Sequence, residues 1–184
     1  MAIFRQLKCF CLANFSRPAS DRCLYRTIGK NRVASIVEIG IGWGQRALRL
    51  IEVAACSGHQ VRYTGIDEFE SRRSDAAQGL TLKQAYQTLR QTPAAIQLVP
   101  GDPLAALTRA ANSLTGTDLL VVSLDVQAEA LARAWRYVPR MLHRGSLVYV
   151  EEACSGGDRR FVRLAAGEIN RLAEAQQEHR RKVA

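Results

Sequence analysis

The stretch Glu38-Ile39-Gly40-Ile41-Gly42-Trp43-Gly44 constrains this chain more than any other, because three alternating glycines separate an aliphatic run at 35–39 from an amphipathic one at 45–56. A strand that passes through glycines straight into a helix has the form of a nucleotide-binding turn. Glycine admits positive φ and lets the backbone approach a ligand without a Cβ, and the helix start offers free N–H groups. Spacing narrows the ligand. The dinucleotide fingerprint G-x-G-x-x-G would need glycine at position 45, where Gln45 stands. A Walker loop would need Gly-Lys-Ser/Thr, and no lysine lies between Asn31 and Lys83.

Around this turn, short apolar runs alternate with amphipathic stretches from Val33 onward, the pattern of βαβ units and a mainly parallel α/β sheet. Strands are expected at 35–39, 61–66, 96–99, 118–124 and 146–150. Helices are expected at 45–56, closed by Gly58; around Leu82, Ala85, Tyr86 and Leu89; from Asp102 as N-cap with Pro103 at the first helical position; and around Leu131, Trp135 and Val138, kinked near Pro139. The chain divides into a basic arm at 1–32, a nucleotide-binding domain at 33–154, and a tail at 155–184 that holds one short strand at 160–164 and a helix at 168–181, packed on the same domain. The arm reads as loosely ordered or as a short helix on the domain edge.

The glycine segment resembles motif I of the class I S-adenosylmethionine-dependent methyltransferases, an acidic residue followed by x-Gly-x-Gly-x-Gly at the end of the first strand. Glu38, Gly40, Gly42 and Gly44 match it position for position, with Ile41 between the first two glycines. The resemblance covers about two thirds of the chain. It implies a Rossmann-like three-layer sandwich with strand order 3-2-1-4-5 and S-adenosylmethionine as cofactor. It also implies an acidic residue at the end of the second strand that holds the ribose hydroxyls, here Asp67, with Glu68 and Phe69 beside the adenine. A carboxylate suits a diol because it accepts two O–H donors at once. After the third strand the family has a polar residue near the adenine amino group, where Asp102 stands, equally a plain helix N-cap. The family normally adds two further strands, and only 32 residues follow Glu152. A reduced C-terminal strand set follows, with an acceptor pocket left open or completed by a second subunit of a homodimer.

Methyl transfer from a sulfonium is an in-line displacement that asks mainly for alignment, with a base only where the acceptor must lose a proton. In open α/β sheets ligands lie beyond the carboxyl ends of the strands, so Asp125, Glu151 and Glu152 are the acceptor-side candidates, and Asp125 is the catalytic one. The run 118–125 is similar to the fourth motif of small-molecule O-methyltransferases of the catechol type, where an Asp and a later Asp-Asn pair hold a divalent cation. Glu151-Glu152 stands in place of that pair and Gln127 replaces a further Asp, so a metal on Asp125, Glu151 and Glu152 is the minor alternative to water-facing carboxylates. The Asn-Pro-Pro-Tyr motif of amino-methylating enzymes is absent, and His143 reads as a turn residue.

Net charge is +9, yet 33–154 carries twelve basic and twelve acidic residues, so the excess lies in the flanks. A basic flank can bind a polyanion, but no aromatic ladder accompanies it, which disfavours nucleic acid. No apolar run approaches the roughly 18 residues of a membrane span. Five cysteines in an odd count without paired spacing point to reduced thiols and a cytoplasmic setting. The reading is therefore a methyltransferase acting on a small-molecule acceptor. The alternative is a catalytically silent domain of the same fold that works through its basic flanks on a polyanion or protein partner.

Overall fold

The strands beside the glycine loop are apolar at almost every position because both of their faces are covered, as parallel sheets require. In the computed structural model, which describes residues 2–72 and 78–183 and the side chains of 6–72 and 78–175, β1 is Ser35–Ile39, β2 Arg62–Asp67, β3 Ala95–Pro100, β4 Thr117–Val122, β5 Leu142–Ala153 and β6 Arg159–Leu164. They form one sheet in the order β3-β2-β1-β4-β5-β6. The first five strands run parallel, and β6 folds back antiparallel on β5. This is the expected α/β sandwich with its reduced C-terminal set, extended by the strand anticipated at 160–164.

The helices are α1 Ala2–Phe15, α2 Arg22–Lys30, α3 Gln45–Ala55, α4 Leu82–Leu89, α5 Pro103–Ala110, α6 Ala128–Ala134 and α7 Ala166–Val183. Successive residues of a strand point to opposite faces, so β4 sends Leu119 and Val121 into one core with Leu50, Ile51 and Tyr63, and Leu120 and Val122 into the other with Leu107, Trp135 and Met141. Asp102 caps α5 by accepting from the N–H groups of Leu104 at 2.9 Å and Ala105 at 3.0 Å, with Pro103 at the first helical position. The helix expected across Pro139 ends as α6 and continues as a 3-10 turn over Trp135–Met141, because proline lacks the N–H an α-helix needs there.

Two expectations are corrected. The described part of the segment 1–32 forms two helices where a loose arm or one short helix was expected, and α2 sends Leu24, Tyr25 and Ile28 fully into the core against α3. That apolar stripe is only three residues long and lies among Arg22, Arg26 and Lys30, which hid it. The thiols are also not all reduced: Cys9 of α1 and Cys56 after α3 form a disulfide, while Cys11, Cys23 and Cys154 are free. Its partners stand 47 residues apart and meet only because α1 packs near α3, so no local spacing announces them. The Arg5 side chain and the side chains at the end of the expected 168–181 helix lie outside the described residues. Among the described residues, no helix is long and apolar enough to cross a membrane.

The strand order reverses between β1 and β4, and a crevice opens there beyond the carboxyl ends of the strands. At its floor Gly40 N–H donates to Ile66 O and Ser123 N–H to Ile39 O, both at 2.8 Å, which locks the three strand ends in register.

Candidate functional site

The three glycines leave β1 with φ of +87°, +58° and +74°. Each does a different task. A Cβ on Gly40 would lie 2.7 Å from both Ser123 Cβ and Val126 Cγ2, so the close approach to the end of β4 demands glycine. Around Gly42 nothing lies within 4 Å of a Cβ position, so the backbone there faces open space. Gly44, in the left-handed region, is the N-cap of α3. Gly40→Ala is expected to lower stability by about 2–3 kcal/mol through the dihedral and the overlap, against about 1 kcal/mol for Gly42→Ala. Thermal melts of the two variants check the order.

Asp67, at the end of β2, fixes this loop. Its Oδ2 accepts from the N–H groups of Ile41 at 2.8 Å and Gly42 at 3.0 Å. Its Oδ1 accepts from Phe69 N–H at 3.2 Å and lies 2.8 Å from an Arg72 guanidinium nitrogen. Arg72 also donates to Phe69 O and Leu80 O, and Leu80 N–H donates to Gly42 O at 2.9 Å. The glycine loop, the end of β2 and the chain before α4 thus form one hydrogen-bonded unit around a single carboxylate.

Beneath the loop, Glu38 is fully buried. Its Oε1 accepts from Arg46 Nε at 2.7 Å and its Oε2 from Tyr63 OH at 2.6 Å. Burial pushes the Glu38 carboxyl up from its ordinary value, with Arg46 and the Tyr63 bond opposing. Burial works most strongly against the Arg46 charge, but the charge and hydrogen bond of Glu38, with Asp21 and Glu151, together outweigh it and hold the guanidinium firmly protonated. Burial and Glu38 together raise the Tyr63 hydroxyl well above a free tyrosine. Arg46 reaches further, to Gly40 O at 3.1 Å, to Glu151 Oε2 at 3.5 Å and over the Phe161 ring at 5.2 Å.

Above these groups lies a cavity of about 870 Å³. That is within the usual range of small-molecule sites. Its lining includes Glu68 and Gly101 beyond β2 and β3, Ile41, Gly42 and Trp43 of the loop, and, toward β5 and β6 in the strand order, Glu151 and Arg159, with Pro18, Asp21 and Arg49 added by the N-terminal helices and α3. Of the residues singled out in the sequence, Gly40, Ile41, Gly42, Gly44, Asp67, Glu68, Asp125 and Glu151 line it. Glu38, Phe69, Asp102 and Glu152 do not. Glu38 supports the loop from below, Phe69 joins the core, Asp102 caps α5 between the lining residues Gly101 and Pro103, and Glu152 pairs outside with Arg160 at 3.3 Å. His143 lies in β5, where its Nε2 is 3.0 Å from Asp118 Oδ1.

Each of the three acceptor-side carboxylates already has protein partners. Asp125 is held by both terminal nitrogens of Arg159 at 2.7 and 2.9 Å. Glu151 Oε2 accepts from Ser123 OH and Leu124 N–H, both at 3.1 Å, and lies 3.7 Å from Arg159. Arginines stand where a cation would compete, and among the described residues no group of three or more His, Cys, Asp or Glu is arranged to hold a metal. Sequence reasoning missed Asp21, Arg46, Arg49, Arg72 and Arg159 as cavity residues. Only Arg46 left a trace, as the basic residue at the start of the helix that follows the glycines.

No protein-family model and no curated protein sequence matches the chain. Solved structures do. The O-methyltransferase TomG from Streptomyces achromogenes, involved in tomaymycin synthesis and in complex with S-adenosylmethionine, superimposes with a TM-score of 0.57 at 16% identity, over 89% of this chain and 68% of its own. A TehB-like S-adenosylmethionine-dependent methyltransferase from Corynebacterium glutamicum gives 0.53 at 17% identity, over 95% of this chain and 80% of its own. At such identities the likeness is one of fold.

Proposed function

We propose that this chain, built on the fold of S-adenosylmethionine-dependent methyltransferases, binds that cofactor at the glycine loop and transfers its methyl group to a small-molecule acceptor at the far end of the same cavity. The observation that carries the reading is the cavity itself, which joins the loop at the β1/β4 switch point to a second, charged end with room for another molecule. The open space at Gly42, where any side chain would intrude, fits a ligand laid against the loop backbone.

In this reading Gly40, Ile41, Gly42 and Gly44 form the floor of the cofactor site, with Glu38 and Arg46 setting its height from below. Asp67 shapes the loop through Oδ2 and offers its Oδ1 edge to the ribose hydroxyls, in exchange for Arg72. Glu68 lines the adenosine end, and Phe69 and Asp102 act there through the backbone they fix. The cofactor supplies an electrophilic methyl on a positively charged sulfur. The protein has to align the acceptor, exclude water and take up a proton where the acceptor is protic. Asp125 belongs to the acceptor end, where it holds the Arg159 guanidinium over the cavity.

The silent, polyanion-binding alternative is the less favoured reading, because several of the flank cations have partners inside the domain. Lys8 pairs with Glu52, Arg22 donates to Ser16 O, Arg26 to Ala13 O, and Arg159 and Arg160 pair with Asp125 and Glu152. Calorimetry with S-adenosylmethionine and S-adenosylhomocysteine tests the proposal: binding at micromolar ligand is expected, and no heat at millimolar ligand overturns it.

A further inference from the structure

One buried group at the acceptor end has no structural task that satisfies it. Asp21 is 2% exposed, stands in the short turn Ala19–Asp21 between α1 and α2, and lines the cavity. Its Oδ2 accepts from Tyr25 OH at 3.2 Å, a long bond, while its Oδ1 is buried with no hydrogen-bond partner among the described residues. An unmet buried acceptor costs about 1–3 kcal/mol, and more when it is charged. Native structures rarely keep one without a use.

Nor does the surrounding network fill the gap. Arg46, the strongest charge acting on Asp21, gives its hydrogen bonds to Glu38 and Gly40. Arg49 donates to Arg17 O at 2.5 Å. The turn itself is weakly held, with Asp21 N–H reaching Pro18 O at 3.4 Å. Carboxylate torsions are broad, so Oδ1 can turn to the cavity face at small cost. Burial pushes the Asp21 carboxyl up from its ordinary value, with Arg46 opposing, which raises its basicity as a proton acceptor.

We infer that Asp21 receives the methyl acceptor: its unpartnered oxygen accepts a hydrogen bond from an O–H or N–H of the acceptor and takes that proton as the methyl group is transferred. The acceptor is therefore a protic one, an alcohol, phenol or amine, and not a thioether or a carbon lacking an acidic hydrogen. The inference rests on the cavity being the methyl-transfer site. In the balanced step, a lone pair on the acceptor oxygen or nitrogen forms the new bond to the methyl carbon. The carbon–sulfur bond breaks with its electron pair retained by sulfur, which loses its positive charge. The acceptor's proton passes to Asp21, which becomes neutral. Asp21 is then a catalytic residue supplied by the N-terminal helices.

The test uses the whole chain saturated with S-adenosylhomocysteine and pairs of probes that differ only in the donor: phenol against anisole, catechol against veratrole, and benzylamine against N,N-dimethylbenzylamine. Calorimetry on the wild type is expected to show at least one donor probe binding tenfold or more tightly than its methylated partner. In Asp21→Ala that preference is expected to fall below twofold, while S-adenosylhomocysteine affinity stays within threefold. Asp21→Asn, which removes a buried charge, is expected to melt no lower than the wild type and to keep the same probe bound while losing methyl transfer to it from labelled S-adenosylmethionine. A wild type that binds no probe, or binds both members of each pair alike, overturns the inference whatever the variants do. So does a preference that survives in Asp21→Ala. If S-adenosylhomocysteine itself fails to bind, the methyl-donor reading has failed instead, which separates the two.

Discussion

Asp67→Ala is expected to weaken S-adenosylhomocysteine binding by more than a hundredfold while leaving the sheet folded. The carboxylate that disappears is the common acceptor for Ile41 N–H, Gly42 N–H and Phe69 N–H and the counter-charge of Arg72. Hydrogen bonds to a charged group contribute about 1.5–3 kcal/mol each, so losing the two that shape the loop removes at least about 3 kcal/mol from the bound geometry. At about 1.4 kcal/mol per decade that exceeds a factor of a hundred. Asp67→Asn keeps a carbonyl that can still accept from Ile41 and Gly42. Its amide then faces the Arg72 guanidinium with donors against donors, so an intermediate loss of about tenfold is expected. Calorimetry on the two variants, with circular dichroism to confirm the fold, checks the order. An affinity for Asp67→Ala within threefold of the wild type removes Asp67 from the site.

The role that Asp67 takes shows what a sequence can and cannot display. Its position is legible, because an acid ending the next strand after a glycine loop is a local pattern. Its partners are not, since Arg72 approaches through the chain beyond β2 and the loop amides carry no side-chain signature. The same division runs through the whole domain. Parallel strands buried on both faces announce themselves as aliphatic runs, and β1 was placed to the residue. β5 was read as 146–150 because His143 to Gly145 break the apolar run, yet the strand starts at Leu142 by way of an irregular register against β4. The N-terminal helices were lost for a different reason: α2 buries one narrow stripe and presents basic residues elsewhere. Everything built on that misreading, Asp21 above all, was invisible, because a lone acid in a basic segment looks like surface until the turn that carries it is seen closing a cavity. Asp125 illustrates the complementary limit, since strand-end carboxylates are easy to find in sequence, and nothing local reveals that Arg159, 34 residues on, holds this one at the cavity wall.

The Glu38–Arg46 pair joins the glycine loop to Glu151 of β5, and Arg46→Met is expected to destabilise the protein by about 3–5 kcal/mol near neutral pH. Methionine keeps the length that packs on Phe161 but leaves a fully buried carboxylate with only Tyr63 as a donor. For a chain of this size the loss corresponds to a fall of roughly 8–15 °C in melting temperature. The sign of its pH dependence follows from Glu38. Burial already raises that carboxyl above its ordinary value, and Arg46 is the strongest influence opposing the rise. Without Arg46 the folded protein holds the Glu38 proton more tightly than the unfolded chain does. A group raised in this way contributes stability that is present at pH below its unfolded value and is lost as pH rises through its folded one. The deficit of Arg46→Met is therefore largest at alkaline pH and shrinks as the pH falls through the raised Glu38 value, below which the carboxyl is neutral and needs no cation. Glu38→Leu in the same chain is expected to restore most of the loss at neutral pH, because the uncompensated charge goes with it, while leaving Tyr63 OH to find another acceptor. Melting curves of the single and double variants between pH 5 and pH 8 provide the check. A deficit below about 1 kcal/mol, or one that grows as the pH falls, would show that the pair does not carry the loop.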